Sequence, residues 1–133
     1  ESHPHLPQGE LREFGAQHDI AMTAYSPLGS PGRADRAEDE PSLLDNPTVI
    51  AVAEDVGATP AQVLISWALT RGTAVLPKSV HRHRIAQNFG ALDVALSEAH
   101  MAKLAALDTG YRYLDGSFLA PEDSPYTQDE IYI

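Results

Sequence analysis

The chain has no cysteine among its 133 residues, which excludes disulfide scaffolds, thiolate metal sites and cysteine nucleophiles. It has no apolar run near the roughly 20 residues that a membrane span needs. Its first residues lack the basic-then-apolar pattern of a secretory signal, so neither a membrane partner nor export is expected. Positive charge is scarce: 9 Lys+Arg stand against 19 Asp+Glu, a formal charge of -10 that a nucleic-acid phosphate lattice would repel. At 43% hydrophobic the chain is still too apolar for a disordered acidic tail. These absences leave a globular protein of a reducing, cytoplasmic compartment as the expectation. An initiating Met is absent too: the first residue is Glu1, and the chain is expected to be a fragment of a longer one.

The local patterns read as alternating strands and helices. Leu11 and Phe14 at helical spacing predict a helix over 8–18, and the apolar run Ile20 to Tyr25 a buried strand that ends in the turn-rich cluster 26–32. A polar loop follows from Ser30 to Asp45, longer than ordinary connections and therefore of the size of a lid or binding loop. Asn46-Pro47 opens a helix that Gly57 ends, and Thr59-Pro60-Ala61-Gln62, a capping box, opens another that Gly72 closes. Thr73 to Leu76 reads as a second buried strand, 80–89 as a helix, and Ser97 onward as a last helix with Leu96 and Met101 as its hydrophobic staple. Residues 109–133 show no period and read as an irregular tail.

Strand, helices, strand, helix is the alternation of a parallel α/β architecture. Two strands would leave bare edges, and a closed barrel needs eight strands and about 250 residues, so the pattern reads as an incomplete α/β barrel or sheet. Ligands of such folds bind at the carboxyl ends of the strands. Here, four of the nine basic residues (Arg71, Lys78, Arg82 and Arg84) fall between 71 and 84, with His81 and His83 and no acid in that interval. Lys78 and Ser79 are expected at a helix start, where free N–H groups and the helix dipole favour an anion. Arg84 and Asn88 share one helical face. Spacing alone leaves two readings open: a phosphate site, or a solvated strand end followed by a basic helix.

The motifs Ala24-Tyr25-Ser26-Pro27-Leu28-Gly29-Ser30-Pro31, Leu76-Pro77-Lys78-Ser79-Val80 and Arg84-Ile85-Ala86-Gln87-Asn88-Phe89 resemble the C-terminal part of the aldo-keto reductases, NADP(H)-dependent (β/α)₈ TIM-barrel enzymes. Glu1-Ser2-His3-Pro4, Pro41-Ser42-Leu43-Leu44, Ala61-Gln62-Val63-Leu64-Ile65 and Leu107-Asp108 extend the likeness over nearly the whole chain, which would be one part, 1–133, of a single barrel domain. The tail, Tyr111-Arg112-Tyr113 through Ser124-Pro125-Tyr126, is similar to those of microbial members acting on aldoses, polyols or simple aldehydes.

The resemblance implies a role for each motif position. Tyr25 would stack on the nicotinamide, and Ser26, Leu28 and Ser30 would line the pyrophosphate. Lys78, Ser79, the Val80 backbone and Arg84 would hold the 2′-phosphate, while Gln87 and Asn88 reach the adenine. The loop 30–45 would be a clasp over the cofactor. Relatives latch this clasp with an acid after Ser-Pro, but this chain has Gly32 there, so either Asp35 substitutes or the clasp is looser. The implied reaction reduces a small aldehyde, ketone or sugar-like carbonyl to an alcohol or polyol. The Tyr general acid and its Asp, Lys and His partners belong to earlier strands. None of Tyr25, Tyr111, Tyr113, Tyr126 and Tyr132 stands in that motif position, so no catalytic residue is expected in the chain and the missing N-terminal part of the barrel is an expected partner.

A competing reading is a non-catalytic NADP(H) sensor or subunit with a reductase-like barrel. The His3/His5 and His81/His83 pairs lack neighbouring carboxylate or thiolate ligands and read as packed or solvated rather than metal-binding. The acidic run from Glu38 to Glu40 reads as a solvated loop face.

Overall fold

The computed structural model describes residues 1–127 and Glu130; Gln128, Asp129 and residues 131–133, with Tyr132 and the end of the expected tail, lie outside the described residues. Among the described residues five α-helices follow in order: α1 (Gly9–Gln17), α2 (Pro47–Val56), α3 (Pro60–Thr70), α4 (Arg82–Phe89) and α5 (Glu98–Ala105). Strand β1 (Thr23–Ala24) separates α1 from α2, and β2 (Ala74–Val75) separates α3 from α4. The strands pair in parallel, Thr23 with Ala74 and Ala24 with Val75, so the α2–α3 segment is the crossover that a parallel pair requires.

The helix ends are where local chemistry dictates them. Asn46 Oδ1 accepts from the backbone N–H groups of Thr48 (3.0 Å) and Val49 (3.4 Å), with Pro47 at the first helical position, where its missing N–H costs nothing. Thr59 and Gln62 form the expected reciprocal capping box at α3. A second box, not read from the sequence, opens α5. Ser97 Oγ accepts from His100 N–H at 3.2 Å and His100 Nδ1 accepts from Ser97 N–H at 3.2 Å. With Nδ1 an acceptor, Nε2 carries the proton and donates to Asp55 Oδ2 at 2.7 Å, tying α5 to α2.

One core holds these elements. Val49, Val52 and Ala53 of α2 meet Val63, Leu64, Trp67 and Ala68 of α3, and Leu104 of α5, Leu43 and Tyr113 close the cluster. Each large side chain buried there contributes about 1.5–3 kcal/mol. Leu96 and Met101, the expected staple pair, both pack against this core.

Four expectations need correction. The strands are shorter than Ile20–Tyr25 and Thr73–Leu76, because only one edge of each has a strand partner among the described residues; Ile20 is exposed. The helix expected over 80–89 starts at Arg82, with His81 as N-cap, and its Ile85 and Phe89 are exposed because no described element covers that face. The tail is irregular in backbone, with a 3₁₀ turn at Ser117–Leu119, but it reaches into the core through Tyr113. Glu40 is buried rather than solvated. Arg33 grips its carboxylate with both terminal nitrogens, Nη1 at 2.8 Å, and Arg36 Nε stands 3.5 Å away.

Candidate functional site

At the carboxyl ends of β1 and β2 the chain opens into a cleft of about 820 Å³, a volume within the roughly 300–1,000 Å³ of small-molecule sites. One wall is the turn after β1, with Ser26, Leu28 and Ser30; the other is the segment after β2, with Lys78, Ser79, Val80 and the α4 residues Arg84, Gln87 and Asn88. Thus nine of the ten expected site residues line one cavity. The tenth, Tyr25, follows β1, is exposed and lies outside the lining; its carbonyl accepts from Ser2 N–H at 3.4 Å.

The turn after β1 carries an unusual concentration of left-handed backbone: φ is 49° at Ser26, 76° at Gly29 and 47° at Ser30. Glycine adopts this region freely, but each serine there costs on the order of 1–2 kcal/mol. Local bonds offset part of that cost. Gly29 N–H donates to the Ser26 carbonyl at 3.0 Å, and Ser30 Oγ donates to Ser26 Oγ at 2.7 Å. Strain of this kind persists where surrounding structure enforces it, and it concentrates at functional sites.

The charge pattern is equally selective. In a chain of charge -10, the cleft lining contains Arg33, Lys78 and Arg84 and, among the described residues, no carboxylate. Arg33 is already committed to Glu40, whereas Lys78 and Arg84 have no ion-pair partner among the described residues. The anchor of α4 differs from expectation. Ser79 Oγ accepts from His81 N–H at 3.1 Å, and the helix with its open first-turn N–H groups starts at Arg82, four residues beyond Lys78 and three beyond Ser79. Lys78, Ser79 and Val80 form the loop between β2 and that helix.

The basic cluster also divides. Arg71 stacks on Trp67, 4.2 Å from its ring centroid, and donates to the Pro7 carbonyl at 2.8 Å. Burial, then the nearby Arg12 charge, holds its pKa below the ordinary value, against a smaller opposing effect from Asp108. It is a structural cation, and neither Arg71 nor Arg82 lines the cleft. Asp35 pairs with Arg33 at 3.4 Å, within its own loop.

Sequence reasoning missed part of the lining. Thr59, Pro60 and Ala61 at the start of α3 face the cleft, as do Arg33 and Leu44 of the long loop. The capping box marked the start of α3 but not its neighbour in space. His3 and His5 are packed, but the expectation that they lack a neighbouring carboxylate is corrected: His3 Nε2 donates to the buried Glu1 Oε1 at 2.6 Å, and His5 Nδ1 bonds the Tyr113 hydroxyl at 2.9 Å. His81 and His83 are exposed, and among the described residues no group of three His, Asp or Glu could hold a metal ion. No single described helix is long and apolar enough to cross a membrane.

Residues 3–109 match the model of the Aldo/keto reductase family. An aldo/keto reductase of Synechocystis sp. is 44% identical over 134 residues, spanning 99% of this chain and 41% of the relative. An aldo-keto reductase of a Mycobacterium species is 45% identical over 126 residues, 95% of this chain and 40% of the relative. Human Aldo-keto reductase family 1 member A1 is 44% identical over 114 residues, 86% of this chain and 35% of the relative. The chain therefore spans about two-fifths or less of the length of these curated relatives.

Proposed function

This chain belongs to the aldo/keto reductase family, and from that premise we propose that it forms the NADP(H)-holding part of a (β/α)₈-barrel oxidoreductase that reduces small aldehydes or ketones to alcohols. The carrying observation is the cleft at the strand ends, in which Lys78 and Arg84 stand with Ser79 and, among the described residues, no acid lines the cleft and neither cation has an ion-pair partner. Such a donor set fits a phosphate monoester: two cations, a hydroxyl and backbone N–H groups, of which the cations would give charge-assisted bonds roughly twice as strong as neutral ones. Lys78, Ser79, the Val80 backbone and Arg84 would bind the 2′-phosphate, and Gln87 and Asn88 on the next turn of α4 would offer amide groups to the adenine. Ser26, Leu28 and Ser30 would line the pyrophosphate from the opposite wall, with the loop 30–45 folding over it as a clasp. Tyr25, at the end of β1, would orient the nicotinamide by stacking.

The chemistry NADP(H) supplies there is hydride transfer to a carbonyl carbon. The proton donor and its partners would come from the part of the barrel that precedes this chain, which would also cover the exposed Ile20, Ile85 and Phe89. The chain alone is therefore expected to show no carbonyl-dependent NADPH oxidation, and robust turnover by it would refute that division of labour. The cofactor assignment is tested by titrating the full-length protein with NADPH and NADH. Arg84→Ala or Lys78→Ala should weaken NADPH by about 10- to 150-fold, the equivalent of roughly 1.5–3 kcal/mol for a charged hydrogen bond, and leave NADH nearly unchanged. Equal loss for both cofactors would remove the 2′-phosphate from this site.

A further inference from the structure

Tyr113 lies 84 positions from Gly29 in sequence, and its buried side chain meets both the turn after β1 and the buried anchor at residues 1–5. We propose that Tyr113 is a positioning residue that holds the loop 26–45 in place over the cofactor cleft; this rests on the cofactor reading above.

The anchor fixes the tyrosine from one side. Glu1 Oε1 accepts from Tyr113 N–H at 2.8 Å and Oε2 from Leu114 N–H at 2.9 Å, while His3, donating to the same Oε1, packs edge-on to the Tyr113 ring at 4.9 Å. His5 holds the hydroxyl. A side chain with its backbone, its ring edge and its polar tip all engaged has one orientation left.

The loop rests on the other side of that ring. A Cβ added at Gly29 would lie 3.0 Å from Cε2 and Cζ of Tyr113 and 3.3 Å from Leu43 Cδ1, so the backbone of the strained turn lies directly on the ring and only glycine permits it. Four residues further on, the Arg33 guanidinium sits 5.9 Å from the ring centroid, within cation–π range, before reaching Glu40. Ser26, Leu28, Ser30 and Arg33 all line the cleft. One ring therefore supports the cleft wall at two points, the turn and the base of the clasp.

The test pairs two readouts in the full-length protein: hydrogen exchange without cofactor, and NADPH dissociation. Tyr113→Leu, which keeps an apolar filler, should speed exchange about tenfold or more in peptides covering 26–45, leave α2 and α4 unchanged, and raise the NADPH dissociation rate about tenfold. Tyr113→Phe, which keeps the ring against Gly29 and Arg33 but loses the bond to His5, should lie far closer to wild type than Tyr113→Leu in both. Gly29→Ala, which presses on the ring from the loop side, should give the same loop-confined exchange and serves if Tyr113→Leu does not fold. Unchanged exchange over 26–45 in the folded variants overturns the proposal. So does faster exchange there with unaltered NADPH dissociation, provided Lys78→Ala weakens NADPH. If Lys78→Ala and Arg84→Ala leave NADPH affinity unchanged, the cleft assignment fails instead, while the exchange data still decide whether the ring holds the loop.

Discussion

Titrating stability on the alkaline side tests the buried tyrosine directly. The Tyr113 hydroxyl is pushed up to about 12, first by burial and then by the neighbouring Tyr111 and Glu1, against smaller opposing effects from Arg36 and Arg33. In the unfolded chain the same group titrates near 10. The fold thus favours the neutral phenol: its contribution is fully present below pH ~10 and is lost as pH rises through about 12. A gap of about 2 between the folded and unfolded values corresponds to roughly 2–3 kcal/mol. Tyr113→Phe removes this dependence and also the 2.9 Å bond to His5, which costs about 1 kcal/mol at neutral pH. Chemical denaturation of both proteins from pH 8 to pH 12.5 should therefore give curves that cross. Wild type begins about 1 kcal/mol more stable and ends about 1–2 kcal/mol less stable than Tyr113→Phe. Curves that stay parallel through the window from pH 10 to 12 would refute the claim that the ring hydroxyl is desolvated.

Three further outcomes are expected. On the acid side, Glu1 is pulled below its usual range. Burial pushes it up, but the bonds from His3 and from the Tyr113 and Leu114 N–H groups outweigh it. His5 is lowered by burial, then by the His3 charge, so stability should fall as pH drops below about 6.5 and fall further as Glu1 protonates; Glu1→Gln should lose the second phase, as read from denaturant midpoints against pH. Leu104→Ala, at a position with no exposed surface, should cost about 2–5 kcal/mol by thermal unfolding, and a loss under 1 kcal/mol would contradict its place in the core. Asn46→Ala leaves two N–H groups of α2 without their partner and should cost about 1 kcal/mol, whereas Asn46→Ser should recover most of it.

Elements marked by neighbours within five residues were legible in advance. Asn46-Pro47, Thr59 with Gln62, Gly57 and the Leu96/Met101 staple placed three helices, because capping and stapling are satisfied within one turn. The cleft was legible through the motifs on either side of it, and Arg84 and Asn88 do share the face that lines it. The His100 box escaped notice because Glu or Gln is the usual partner at that position.

What the sequence determined by itself, then, is the alternation of helices and parallel strands, and the presence of cationic residues after the second strand. Both follow from short-range periodicity, caps and composition. The tertiary structure alone decided which cations line the cleft, sending Arg71 to Trp67 and Pro7 and leaving Lys78 and Arg84 at the cleft without an ion-pair partner among the described residues. It decided that Glu40 is buried by Arg33 and Arg36, that α3 begins beside the cleft, and that Tyr113 lies under Gly29. The physical reason is common to all four. Burial and charge pairing depend on what lies on the other side of a side chain, and for Tyr113 and Gly29 that neighbour is 84 residues away along the chain.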